Sequence, residues 1–115
     1  MTKTALDVAT EALRHIGVTG VHETPTASDA SRAKSHLDDL FETISTTEEL
    51  AIEWTVETVP SGAFLPLSRM LSGSICTAYG KPEFRADYGA GLRQLRAFEF
   101  GKMKTDSQPA RATYF

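Results

Sequence analysis

Only one stretch of this 115-residue sequence alternates apolar and polar residues with a period of two. In LAIEWTVET, Leu50, Ile52, Trp54 and Val56 interleave with Ala51, Glu53, Thr55 and Glu57, as in a half-buried strand. A lone strand leaves its backbone unsatisfied, so this one is expected to pair with a weak strand elsewhere in the chain or with another chain. No second segment alternates as clearly, and the body of the fold is therefore expected to be helical.

The remaining apolar residues recur at helical spacing. Over 4–16, Ala5, Leu6, Ala9, Ala12, Leu13 and Ile16 share a face, with Thr2 or Thr4 as the cap and Gly17 as the stop. The Gly, Thr and Pro of VTGVHETPTA predict a loop ending in a cap near Thr26 or Ser28. The second helix carries Ala30, Ala33, Leu37, Leu40, Phe41 and Ile44, ends near Thr46, and leaves Arg32, Lys34, Asp38, Asp39 and Glu42 outward. The third runs over 64–79 through Leu65, Leu67, Met70, Leu71, Ile75 and Ala78, with Pro66 unsettling its first turn. Gly80 and Pro82 close it and open the next. The fourth spans about 82–100, with Phe84, Tyr88, Leu92, Leu95 and Phe98 on one face. Gly89 and Gly91 inside it predict close backbone packing or a kink.

The expectation is thus a mainly α protein. Residues 1–101 form a four-helix body with a short extended segment, and 102–115 form an extended C-terminal tail. The chain ends SQPARATYF, and two adjacent aromatic rings on a polar tail point to a segment that docks on something.

At 41% hydrophobic and 23% charged, the composition is ordinary for one globular domain. No run of about 18 apolar residues and no signal-peptide pattern over 1–7 are present, and a cytosolic chain is expected. The net charge of −3 conceals an asymmetry. Residues 1–60 hold eleven acids and four bases, −7, while 61–115 hold four acids and eight bases, +4. Such halves can pair within a fold, or the basic flank of one copy can meet the acidic flank of the next. Asp38, Asp39, Trp54, Arg85, Arg93 and Arg96 are the residues expected at such subunit contacts.

Signs of catalysis are weak. His15, His22 and His36 have no companions at ligand spacing, so no metal is expected. The adjacent pairs Asp38, Asp39 and Glu48, Glu49 cannot share a helical face. Gly89-Ala90-Gly91 lacks the preceding strand and third glycine of a dinucleotide loop. Ser72 and Ser74 belong to the third helix, and Cys76 sits in an apolar pattern as a buried thiol would. No enzyme and no cofactor are expected.

In order, the pieces TALDVATEALRHIGV, ASRAKSHLDDLFETI, a Trp-bearing extended segment, SRMLSGSICTAYG, a long last helix and an aromatic-ended tail resemble the head-tail adaptor proteins of tailed bacteriophages. These are also called connector or head-completion proteins. The resemblance covers nearly the whole chain. It is carried most by Ala12-Leu13-Arg14, Ile16-Gly17-Val18 and Ala78-Tyr79-Gly80, which are packing and turn signatures.

What the resemblance implies is a structural protein of the virion neck, assembled in the host cytoplasm as a homo-oligomeric ring, commonly dodecameric, beneath the portal protein. Such a ring extends the DNA channel, touches the passing DNA weakly, and offers a platform to a distal tail or tail-needle protein. No membrane is involved. The C-terminal segment docks on the portal, which here implicates Pro109, Arg111, Tyr114 and Phe115. Two other readings stay open. One is a nucleic-acid-binding helical module of the packaging machinery using Arg85, Arg93, Arg96, Lys102 and Lys104. The other is a cell-wall hydrolase with Glu48, Glu49 or Glu53 as its acid.

Overall fold

A computed structural model describes residues 2–48 and 50–112, with side chains as far as Gly101 in the last helix. The order is β1 (Thr2–Lys3), α1 (Ala5–His15), α2 (Ala27–Thr46), β2 (Val59–Pro60), α3 (Ser61–Ile75), two short 3-10 turns (Cys76–Tyr79 and Pro82–Phe84) and α4 (Asp87–Ala112). Among the described residues the protein is mainly α, with four helices, as its periodicity predicts.

Helix ends fall where the capping chemistry puts them. Thr4 accepts a hydrogen bond from the Asp7 N–H while Asp7 accepts one from the Thr4 N–H, a reciprocal capping box. Gly17, at φ +80°, closes α1, with Val18 donating to the Leu13 carbonyl and Gly17 to that of Arg14. Thr26 caps α2 through the Asp29 N–H. Gly80, at φ +72°, ends the turn after α3.

The core is organised around α3, which packs on α1, α2 and α4. Its Leu67, Met70, Leu71 and Ile75 meet Val8, Ala12 and Leu13 of α1, Leu37 and Ile44 of α2, and Leu95 of α4 in one buried cluster. The buried Ser72 hydroxyl lies 3.0 Å from the Ser68 carbonyl and 3.2 Å from the Ala12 carbonyl of α1. It belongs to the packing, as the helical pattern predicts.

Four expectations are corrected. Residues 50–57 form no strand. Trp54 is buried, Leu50, Ile52 and Val56 are half-buried, and Ala51, Glu53, Thr55 and Glu57 are exposed, so the alternation survives as burial without a ladder. A period of two reports which side of an extended chain meets the core, and local bonds such as Leu50 N–H to the Ile44 carbonyl and Thr58 N–H to the Thr55 carbonyl serve part of the backbone. The strands that do exist pair Thr2 with Pro60 and Lys3 with Val59 in antiparallel register, and two residues are too short to show a period.

The second correction is that α3 starts at Ser61 and not at Phe64. Pro66 stands inside it and has no N–H to give to the Gly62 carbonyl. Leu65, placed on the apolar stripe by spacing, is 51% exposed. Third, residues 82–86 are a 3-10 turn and its exit, and α4 proper begins at Asp87. Fourth, the tail expected to be extended from Lys102 continues α4 as far as Ala112. A helix already nucleated on the body adds one bond for each further residue, and 102–108 hold neither glycine nor proline to stop it.

Candidate functional site

Two outward faces carry most of the residues expected at subunit contacts. Because α2 turns Ala33, Leu37, Leu40 and Ile44 inward, Asp38, Asp39 and Glu42 stand exposed on its far side. α4 presents Gly91, Leu95 and Phe98 toward α3, which leaves Arg93, Arg96, Ala97 and Phe100 exposed together at i, i+3, i+4 and i+7. Arg85 is exposed in the turn before α4. The structure does not bring the acids of α2 to the arginines of α4 within one chain. Among the described residues, Asp38, Asp39, Glu42, Arg85 and Arg93 make no ion pair.

Arg96 and Trp54 have partners within the chain. The Arg96 Nη2 donates to Glu48 Oε1 at 2.9 Å, and the Tyr88 hydroxyl donates to Glu48 Oε2 at 3.4 Å, so both oxygens of this carboxyl tie the end of α2 to α4. Glu48 therefore serves as a clasp, which leaves it poorly placed as the acid of a hydrolase. Trp54, expected at a subunit contact, is 9% exposed in its own chain. Its ring packs on Phe41 with centroids 5.4 Å apart, and its Nε1–H donates to the buried Glu99 at 3.0 Å. An indole with an apolar site and a hydrogen-bond acceptor in its own core has no reason to wait for another subunit.

Pro109 and Arg111 fall within the backbone of α4, and Tyr114 and Phe115 lie outside the described residues. Of the histidines, His15 pairs with Asp87 at 2.7 Å and sets its ring at a steep angle to Phe84, fastening α1 to the start of α4. Among the described residues no group of three or more His, Cys, Asp or Glu is placed to hold a metal. None of the described helices is long and apolar enough to cross a membrane.

A cleft of about 370 Å³ runs along the outer face of α1, between the loop that precedes α2 and the Phe64 ring. Lys3, Asp7, Glu11 and Arg14 follow one another along it, and the Lys3 ammonium sits 5.3 Å from the Phe64 centroid. Arg14 donates from Nη2 to the Glu23 carbonyl at 2.8 Å, holding the loop against the helix. Two acids and two bases leave the cleft without a dominant charge and favour no one ligand class.

Sequence reasoning missed Phe100, Glu99 and the part Glu48 plays in tying α2 to α4. Phe100 was legible, since it stands seven residues after Arg93 and off the Tyr88, Leu95, Phe98 face. Glu99 and Glu48 were not, because their partners are forty or more residues distant.

Two tyrosines report on these ties. Burial first, and then the Asp29 carboxylate to which its hydroxyl donates, push the Tyr79 phenol above its ordinary value. Burial and then Glu48 do the same for Tyr88. A phenol with a raised pKa in the folded state contributes stability that is complete below about pH 10 and is lost as pH rises through the raised value. Phenolate absorbance should therefore show two tyrosines titrating above a free phenol, and Tyr79→Phe should remove one of them. Normal titration of both would contradict the packing of these rings.

No protein-family model, curated protein or solved structure matches this chain.

Proposed function

We propose that this chain is a head-tail adaptor of a tailed bacteriophage. It is a structural protein of the virion neck, and its copies form a ring, commonly of twelve, under the portal. The ring prolongs the DNA channel and gives the distal tail or tail needle its seat. Pro109, Arg111, Tyr114 and Phe115 make the attachment to the portal.

The observation that carries this reading is the overrun of α4. In the antiparallel pairing of α3 and α4, Gly62, the second residue of α3, lies against Phe98. The α4 backbone over 102–112 therefore continues beyond the level of the α3 N-terminus. A helical arm followed in sequence by two aromatic residues suits a docking element. Burying two such rings yields on the order of 10 kcal/mol gross, and ordering about ten residues costs about as much, so one arm alone holds weakly. A ring presents many arms at once, and effective concentration turns weak contacts into a firm attachment.

The packaging-module alternative draws less support. Arg96 is already committed to Glu48, and the net charge is negative. A channel lining that lets DNA slide calls for modest, scattered charge of this kind.

Deleting 106–115 is expected to leave the circular dichroism of the body intact and to abolish co-sedimentation with the portal. Undiminished attachment of the truncated protein would overturn the role given to the arm. Electron microscopy of the full chain mixed with its portal tests assembly, symmetry and docking together.

A further inference from the structure

We infer that neighbouring copies join by setting the outer face of α4, with Arg93 and Phe100, against the acidic outer face of α2 in the next copy. This deepens the adaptor reading and rests on it for the ring; the contact itself is argued from the faces.

The α4 face is built for a partner that its own chain does not supply. Phe100 is 66% exposed, the largest apolar side chain so placed among the described residues. Arg93, seven residues earlier on the same face, has no ion pair among the described residues. Gly89, one turn before Arg93, has no positive φ, and a Cβ added there would meet only the Arg93 Nη1, at 3.9 Å. Unlike Gly91, it answers no packing demand of its own chain. Gly89, Arg93 and Phe100 thus make a face with a flat beginning, a free cation and an exposed ring.

The occupant is chosen by charge. Asp38, Asp39 and Glu42 stand exposed on the outer side of α2, and their charge is opposite in sign to that of the arginines of α4. The same opposition appears along the chain, whose first 60 residues carry −7 and whose remainder carries +4. The two faces belong to different helices and do not meet within a protomer. A contact between them leaves one of each free on every pair, so the association is head-to-tail and closes as a ring or continues as a filament.

Two charge reversals test this. Arg93→Glu gives a copy with acids on both faces, and Asp39→Lys combined with Asp38→Lys gives a copy with bases on both. Neither protein should self-associate at low salt, and sedimentation velocity should show each weakened by about tenfold or more relative to the unaltered chain, since an attraction has become a like-charge contact. Mixed in equal amounts they should assemble again, because each now complements the other, and added salt should dissolve the mixture. All the altered side chains are exposed, and circular dichroism checks that both variants fold.

Rings that form unchanged from either variant alone would overturn this contact while leaving the adaptor reading in place. An unaltered chain that stays monomeric at low salt would overturn it too. Reassembly of the mixture without any binding to the portal would support the contact and count against the adaptor reading.

Discussion

Alanine in place of Gly91 lowers the unfolding free energy by about 2–3 kcal/mol, while alanine in place of Gly89 leaves it unchanged or raises it by up to about 1 kcal/mol; this is the expected outcome of urea titrations on the two variants. The two glycines are two residues apart in one helix, and intrinsic propensity favours alanine at both. Their surroundings differ. A Cβ at Gly91 would stand 2.5 Å from the Pro66 carbonyl oxygen and 2.8 Å from the Met70 nitrogen, both backbone atoms of α3 that cannot rotate aside. The helices would have to separate. That separation loosens the whole seam, because Gly73 faces the Tyr88 backbone and Gly62 the Phe98 ring across the same interface. Overpacking of this sort costs about 1–3 kcal/mol or more and outweighs the gain in propensity. The slope of unfolding against urea should stay the same, so that the shift in midpoint reads stability alone. A Gly91→Ala protein as stable as the original would show that α3 and α4 are not in close backbone contact.

Gly89→Ala also bears on assembly. If the outer face of α4 meets another copy there, the variant that gains stability as a monomer should lose affinity for its neighbour. The two effects separate because one is read by denaturation and the other by sedimentation.

What was legible in the sequence was what depends on near neighbours. Apolar spacing located four helices, Gly17 and Gly80 marked ends, and the caps were narrowed to Thr2 or Thr4 and Thr26 or Ser28, of which the fold uses Thr4 and Thr26, because capping acts over three or four residues. Gly91 was legible as a close-packing position, though the sequence could not tell it from Gly89: both are glycines in one helical stretch, and only the position of α3 separates them. Trp54 shows the limit from another side. Its alternation with polar neighbours predicted its burial, and the same alternation predicted a strand that is absent, since period reports facing and not pairing. The clasp of Glu48 by Arg96 and Tyr88 was invisible because its members lie far apart in sequence. Of the candidate site, the opposed charges of the two halves were readable, whereas which charges remain unpaired required the fold.

Trp54 and Glu99 define the other large effect. Trp54→Phe is expected to cost about 2–4 kcal/mol, more than the small loss of ring area accounts for. Phenylalanine keeps an aromatic ring against Phe41 but has no N–H, and the Trp54 indole makes the one direct hydrogen bond that Glu99 receives among the described residues. Glu99 is 6% exposed, so its carboxyl group would be left buried without that donor. Losing one partner of a buried pair costs about 1–3 kcal/mol, while removing both can be nearly neutral. Adding Glu99→Leu to Trp54→Phe should therefore restore at least half of the lost stability, and the double-mutant cycle should show a coupling of about 1.5–3 kcal/mol. Independent, additive effects would mean that the pair contributes no bond. The bond matters to architecture because it ties the irregular segment over 50–58 to α4, and that segment has no ladder to hold its register. Without it, the apolar side of the segment still favours the core, but the donor that sets which way the indole faces is gone. The double variant should accordingly recover stability while its indole-free segment exchanges amide hydrogens faster than in the original protein. Unaltered exchange over 50–58 would show that packing of Leu50, Ile52 and Val56 suffices to fix the segment.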